Sequence, residues 1–230
     1  MFNKEDNLGY IVANFMDSAK IFNKYHIDYC CNGNRSLIKS CEEQGINPDK
    51  LLEEINLEYL EALQGDAPLK TFIEFKSDDL IDHINNTHHK YTRDEVVEIE
   101  ALINKILRVH YDNHGKMLEE VREKFLLLKE DILGHLEKEE ESIFPLMNEY
   151  MKNKDISTLL RIRELIGEGH EEHDTAGNIL KDIRNITNNY NIDSSMCTTF
   201  KLTYSKLVAL EEDLFTHIHK EESILFPRYL

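Results

Sequence analysis

Two stretches of the chain repeat one block: His135-Leu-Glu-Lys-Glu139-Glu-Glu-Ser-Ile-Phe144-Pro145 and His217-Ile-His-Lys-Glu221-Glu-Ser-Ile-Leu-Phe226-Pro227. Both read H-x-x-K-E-E-x-x-[IL]-F-P. On a helix, residues four apart lie about 40° from each other on one face, so each His–Glu pair can reach one metal ion. Imidazole nitrogen with carboxylate oxygen suits first-row transition metals, whereas all-oxygen sets suit Mg or Ca and thiolates suit Zn or clusters. The spacing alone carries little. Three of the 11 histidines have an acid four residues on, and composition alone gives about two. The repetition of the whole block is the signal.

If two helices each supply a His and a Glu, the other two helices of a bundle must supply something at the same height. Counting 23 residues either side of a hairpin tip at Asp112 pairs His135 with His89. Counting from a second tip at Asn153 puts His173, 20 residues on, level with His135, 18 residues back. His89 and His173 are 84 residues apart and His135 and His217 are 82 apart, which suggests two αα-hairpins related by a pseudo-two-fold axis. The set is then His89, His135, His173 and His217 with Glu139 and Glu221, the logic of carboxylate-bridged di-iron bundles, with zinc left open by ligand type alone. His170, one turn before His173, is the rival there; His88 rivals His89. Cys30 and Cys31, adjacent in Asp28-Tyr29-Cys30-Cys31, form a second chemical feature, as thiols for metal or thiol transfer or as small core residues.

The elements that would position these residues follow from apolar periodicity. A helix is expected over 8–25, a short one over 36–44, and a third from Pro48, capped by Asn47, to about Leu63. Residues 64–68, Gln-Gly-Asp-Ala-Pro, read as a linker, which divides the chain into a small helical domain, 1–65, and a larger one, 66–230. The larger domain resolves into four long amphipathic stretches, about 77–109, 115–150, 156–187 and 195–226. Short connections between long helices predict an up-down-up-down four-helix bundle, and the fold class is all-α. The midpoint between His173 and His217 falls at Ser195, past the centre of an Asn-rich loop, so that loop is expected to run partly along the bundle.

Composition narrows the setting. Forty-four acids against 27 Lys and Arg give a formal charge of −17, which opposes nucleic acid and anionic membranes as partners. No apolar run suits a leader or a membrane span. Four cysteines form no disulfide framework and fit a reducing cytoplasm; Cys41 and Cys197 read as structural. His219, two residues from His217, should face away from the layer into solvent, and Lys138 and Lys220 should be solvated stems. His110 and His114 sit near the far hairpin, about 30 Å from the layer at 1.5 Å per residue, and could form a separate site or none.

His89, the two His-x-x-x-Glu blocks with their Phe-Pro, and Glu172-His173-Asp174-x-Ala176-Gly177 resemble the hemerythrin-like bundle. The segment Asp28-Tyr29-Cys30-Cys31-Asn-Gly-Asn-x-x-Leu37 resembles the small domain of the iron–sulfur cluster repair di-iron family, with Asn32 where that family usually has Gly. The resemblance covers nearly the whole chain. It implies two non-haem irons held by His89, His135, His173 and His217 and bridged by Glu139 and Glu221. It also implies a stress-response role in restoring iron–sulfur clusters damaged by nitric oxide or oxidants, with damaged iron–sulfur proteins as clients and Cys30 and Cys31 passing iron. The small domain could dock on its own bundle or on that of a second copy in a homodimer. Two other functions use the same ligands: an oxygen or nitric oxide carrier or sensor, and a di-iron reductase of nitric oxide or peroxide.

Overall fold

The computed structural model describes residues 1–65, 69 and 71–230. Of the expected linker, Asp66, Ala67 and Pro68 lie outside the described residues, as does Lys70. Among the described residues the chain is helical, and its one extended pairing is an isolated antiparallel bridge between Asn7 and Ser36. No helix among them is long and apolar enough to cross a membrane. Two compact units form: Met1–Leu80 together with Phe215–Leu230, and Ile81–Leu214.

In the first unit, α1 (Leu8–Asn14), α2 (Ser18–Lys24), α3 (Leu37–Gln44) and α4 (Pro48–Gln64) surround a core that includes Leu8, Ile11, Phe22, Tyr29, Leu37 and Leu51. The predicted single helix over 8–25 is two, broken where Phe15 turns to φ −145° and ψ 86°. Ser36 caps α3 by accepting from the Lys39 N–H, and Gly45 ends it in the left-handed conformation at φ 69°. Asn47 caps α4 through the N–H groups of Asp49 and Lys50, with Pro48 in its first turn. Asn56 ties down the N-terminus: its side chain accepts from Phe2 N–H at 2.8 Å and donates to Phe2 C=O at 3.0 Å.

The last residues of the chain complete this unit. α1 packs on the turn Glu221–Leu225, and Arg228 donates to the carbonyls of Ile73 and Phe75. Backbones meet closely here. Gly9 N–H donates to Gly33 C=O at 2.8 Å, and a Cβ on Gly33 would sit 2.7 Å from the Tyr29 carbonyl oxygen. A Cβ on Gly9 would instead meet the Ser223 hydroxyl. We expect Gly33→Ala to cost about 1–3 kcal/mol by overpacking, because backbone cannot step aside, and to lower the melting temperature by several degrees. Gly9→Ala should be partly rescued by adding Ser223→Ala, which removes the obstructing hydroxyl and leaves the Gly33 carbonyl oxygen 3.2 Å away. Thermal unfolding of the three variants checks both statements; a Gly33→Ala protein that melts with wild type refutes the first.

The second unit is built on long helices whose ligand turns are widened. α5 (Ser77–Ile84) runs through a π-turn at Asn85–His89 into α6 (Lys90–Val109). α7 (Tyr111–Lys138) continues through a π-turn at Glu139–Ile143 into α8 (Phe144–Asn153). α9 spans Ile156–Ile186, and α10 spans Thr198–Lys220; its residues from Phe215 on, and a third π-turn at Glu221–Leu225 that follows it, belong to the first unit. The chain reverses at His110, two residues before the tip taken at Asp112, and Tyr111 already begins α7. α7 packs against both α6 and α9. Val96, Ile103, Phe125, Ile132, Leu165 and Leu210 are among the side chains filling the core. The Asn-rich loop does lie on the bundle: Asn188, Asn189 and Tyr190 take positive φ, which turns the Tyr190 ring inward. Its hydroxyl donates to the buried Glu211 at 2.9 Å, and Arg184 holds the same carboxylate at 3.0 Å.

Candidate metal centre

The π-turns fall on the sites read from the sequence. His89 ends the first, Glu139 opens the second and Glu221 opens the third. A π-turn adds a residue to the helical turn and is found mostly at functional sites. In the second and third, a proline follows the glutamate by six residues, at Pro145 and Pro227. Proline has no N–H and its ring crowds the carbonyl four residues back, which loosens the α ladder just where the turn widens.

Within the second unit, His89, His135 and Glu139 converge. Nε2 of His89 lies 3.3 Å from Glu139 Oε2, and Nε2 of His135 lies 3.4 Å from the same oxygen. His173 brings its Nε2 to 3.0 Å from that of His135. All four side chains are buried, Glu139 with none of its surface exposed. The rival histidines are elsewhere: His170 is exposed, and His88, though buried, pairs through Nδ1 with Asp213 at 2.9 Å.

The His89 and His135 imidazoles are each oriented by a carboxylate behind them. His89 Nδ1–H donates to Glu140 at 2.8 Å, and His135 Nδ1–H donates to Glu172 at 2.7 Å. Donation from Nδ1 fixes the tautomer and leaves the Nε2 lone pair facing inward, the usual arrangement behind metal-binding histidines. The His135 hydrogen bond, with Lys138, holds the Glu172 carboxyl down to about 2 against the opposing pull of burial. Burial alone would raise the Glu140 carboxyl, but His89 and Arg93 outweigh it and lower it. Lys138 is not a free stem: it bridges Glu168 at 2.7 Å and Glu172 at 2.9 Å. Sequence reasoning missed these outer acids. The one available signal was the doubled glutamate of the repeat, whose second member is Glu140.

In the first unit, His217 Nε2 lies 2.9 Å from Glu221 Oε1, one turn apart and with both side chains fully buried. His219 corrects an expectation: it is fully buried rather than solvated. The face opposite His217 is covered by Tyr29, whose ring stands edge-on to His219 at 5.8 Å. Burial pushes the His219 imidazole down to about 3, so it is neutral at pH 7. Lys220 is likewise buried, with its ammonium 4.2 Å over the Phe72 ring.

Tyr29 leads into the cysteine turn. Asp28 clasps that turn, accepting from Cys31 N–H at 3.1 Å and from the Asn32 side chain at 2.8 Å. Asn32, where the resembling family usually has glycine, is therefore part of the clasp. The Cys30 and Cys31 sulfurs lie 3.6 Å apart, and Cys30 Sγ is 3.3 Å from Asp28 Oδ1. Burial pushes the Cys30 thiol well above its ordinary range. Asp28, Cys30 and Cys31 offer ligand atoms all within 4.8 Å of one another.

The donor set fits a cation. Burying a carboxylate costs several kcal/mol unless it gains a counter-charge, and Glu139 is buried facing imidazole nitrogens whose tautomers are set to accept. Ligand atoms of His135, Glu139 and His173 all lie within 4.8 Å of one another, the span of one ion's coordination shell. A cleft between α7 and α9, lined by Asp131, Glu168, Glu171 and Glu172, reaches His135 and His173.

Comparison with known proteins agrees with this geometry. Residues 4–59 match the ScdA_N family, described as a domain of unknown function (DUF542). Along its full length the chain is 28% identical to the "Iron-sulfur cluster repair protein ScdA" of Staphylococcus haemolyticus, over 100% of both chains. It is 29% identical to the "Iron-sulfur cluster repair protein YtfE" of Escherichia coli O81, over 100% of this chain and 99% of that one. It is also 29% identical to the YtfE protein of Cronobacter sakazakii, over 99% and 97%. Residues 80–229, well over half of the chain and the segment that carries every buried His–Glu pair described above, match the hemerythrin HHE cation-binding domain, and the chain belongs to that family.

Proposed function

We propose that this protein holds two non-haem irons and helps to repair iron–sulfur clusters damaged by nitric oxide or oxidants, by supplying iron. The observation that carries the reading is the buried Glu139 carboxylate facing two imidazole Nε2 atoms, each ring set from behind by a second carboxylate. His89, His135, His173 and His217 would hold the metal, with Glu139 and Glu221 bridging. Four imidazoles and two carboxylates suit iron in both common oxidation states. The full-length relatives named for cluster repair support the functional half.

In this reading iron is cargo as well as ligand partner. Nitrogen and oxygen ligands hold ferrous iron less firmly than thiolates hold a cluster, so the centre can yield an ion to a thiolate-rich client. The acidic cleft between α7 and α9 favours passage of a cation, since a like-charged lining concentrates counter-ions. Cys30 and Cys31 form the thiol station: Cys30 stays protonated until a metal displaces the proton, which keeps it from oxidising while idle. A client is then an iron–sulfur protein in the same compartment.

The test compares iron-loaded and metal-free protein in restoring a cluster of a purified client inactivated by nitric oxide. Restoration by the loaded protein, with iron lost from it in step, is expected; Cys30→Ala/Cys31→Ala should slow the transfer without lowering the iron content. Equal restoration by metal-free protein overturns the donor reading. Reversible oxygen or nitric oxide binding that is indifferent to the cysteines would favour a carrier.

A further inference from the structure

The reversal between α6 and α7 meets the start of α10 in a cluster that the metal centre does not use. Cys197 immediately precedes α10, whose first helical hydrogen bond, from Lys201 N–H, is accepted by its carbonyl at 3.0 Å. Its side chain is exposed. Nε2 of His110 lies 3.2 Å from its sulfur, and the nearby backbone N–H groups of Phe200 and Thr199 favour its thiolate form. The imidazole is itself positioned: Phe200 stands edge-on to His110 at 5.3 Å and to His114 at 5.4 Å. His114 is engaged separately with the Ser195 hydroxyl at 2.9 Å. Sequence reading took Cys197 as structural and left His110 to a separate site or to none; the fold brings the two within 3.2 Å.

We propose that Cys197 and His110 form a reactive thiol site that exchanges with low-molecular-weight disulfides. His110 takes the Cys197 proton. The thiolate attacks one sulfur of the disulfide, forming a new S–S bond as the old one breaks. The departing thiolate recovers the proton from the imidazolium. The Cys197 sulfur is oxidised by one electron-equivalent and the leaving sulfur is reduced by one, so no further oxidant enters. The products are a mixed disulfide on Cys197 and one free thiol.

Several features of the site favour this chemistry over inert packing. An imidazole partner and a helix N-terminus both stabilise a thiolate, and reactive cysteines occupy such partly exposed settings. The His110 hydrogen bond, then the backbone N–H of Phe200, bring this thiol down to about 7, close to the optimum for a thiol attacking at neutral pH. The other titrating groups at the site are His114 and Asp193, which meet through the Ser195 hydroxyl. The remaining thiols are less suited: Cys30 and Cys41 are buried and raised by burial, and Cys31 is half-buried in the Asp28 clasp. With a formal charge of −17 the protein should accept cationic or neutral disulfides faster than anionic ones.

The test is the rate of mixed-disulfide formation with cystamine on full-length metal-loaded protein, followed by intact mass and peptide mapping from pH 5.5 to 9.5. Wild type should take its first adduct at Cys197, with half-maximal rate near pH 7, and Cys197→Ser should lack that adduct. In His110→Ala the inflection should rise toward about 8.5, the value of an ordinary thiol, and stop short of it because the Phe200 and Thr199 N–H groups remain. A full return to that value would lower the rate at pH 7 about threefold, a roughly 16-fold loss of thiolate being offset about fivefold by greater intrinsic nucleophilicity, and the retained helix N-terminus keeps the fall within that bound. His110→Gln, which keeps a polar group beside the sulfur but no titrating one, should move the profile the same way and stands in if the alanine variant folds poorly. First labelling at Cys31, or an unchanged pH profile in both His110 variants, overturns the proposal.

Discussion

Metal-free Glu139→Gln protein should be more stable than metal-free wild type, and should bind no metal at the centre. Glu139 is fully buried, and its carboxylate is faced by His89 and His135. Without a cation, the folded state bears the cost of desolvating that charge. Taking a carboxylate out of water costs several kcal/mol, and glutamine removes that charge at nearly constant volume, so the metal-free variant should gain on the order of 1 kcal/mol. With metal present the order reverses. A ligand that binds only the folded state adds about 2.7 kcal/mol at a hundredfold excess over its dissociation constant, and only wild type can take that gain. Urea unfolding of both proteins, metal-free and with ferrous iron under anaerobic conditions, reads all four stabilities. A metal-free variant less stable than wild type, with no gain from iron in either protein, would mean that Glu139 is a structural acid.

The outer carboxylates should matter nearly as much to affinity while leaving the ligands in place. Glu172→Gln removes the charge that orients His135 and also weakens the tie to Lys138. Glu140→Gln does the same for His89 and Arg93. Either loss lets the imidazole present the wrong tautomer. Substitutions of this kind cost about 10–100-fold in metal affinity. The fold should barely respond, because Glu140 and Glu172 are each more than a third exposed and ion pairs at such sites are worth little. Competition with a chromophoric chelator measures the affinity, and thermal melting of the metal-free variants supplies the control. Unchanged affinity in both variants would show that the rings are held by packing alone.

The helical bundle and the two buried His–Glu pairs were legible in the sequence for a specific reason. The repeated block writes His135 with Glu139, and His217 with Glu221, into single helices, where spacing and geometry are the same thing. Equal counting about a hairpin tip then reached His89, although the chain reverses at His110 rather than Asp112. The outer acids were illegible because their partners lie on other helices: Glu172 of α9 serves His135 of α7, and Glu140 serves His89 across the π-turns. His219 and Lys220 were misread as solvated because helical periodicity shows which face turns from the ligand layer, not what covers it. Tyr29 and Phe72 cover that face, about 190 and 150 residues away along the chain. Cys197 shows the converse: its neighbours in sequence are unremarkable loop residues, and the imidazole that activates it comes from 87 residues upstream.

The central claim rests on metal held by histidines and glutamates from both repeat blocks. Elemental analysis of purified protein, beside His135→Ala/His217→Ala, tests it most directly. The account predicts about two irons per chain in wild type, from the ligand count of a carboxylate-bridged pair, and their loss in a variant that keeps its helical circular dichroism. A wild-type protein that stays metal-free after anaerobic loading with ferrous iron, or a variant that keeps its full iron content, would contradict it.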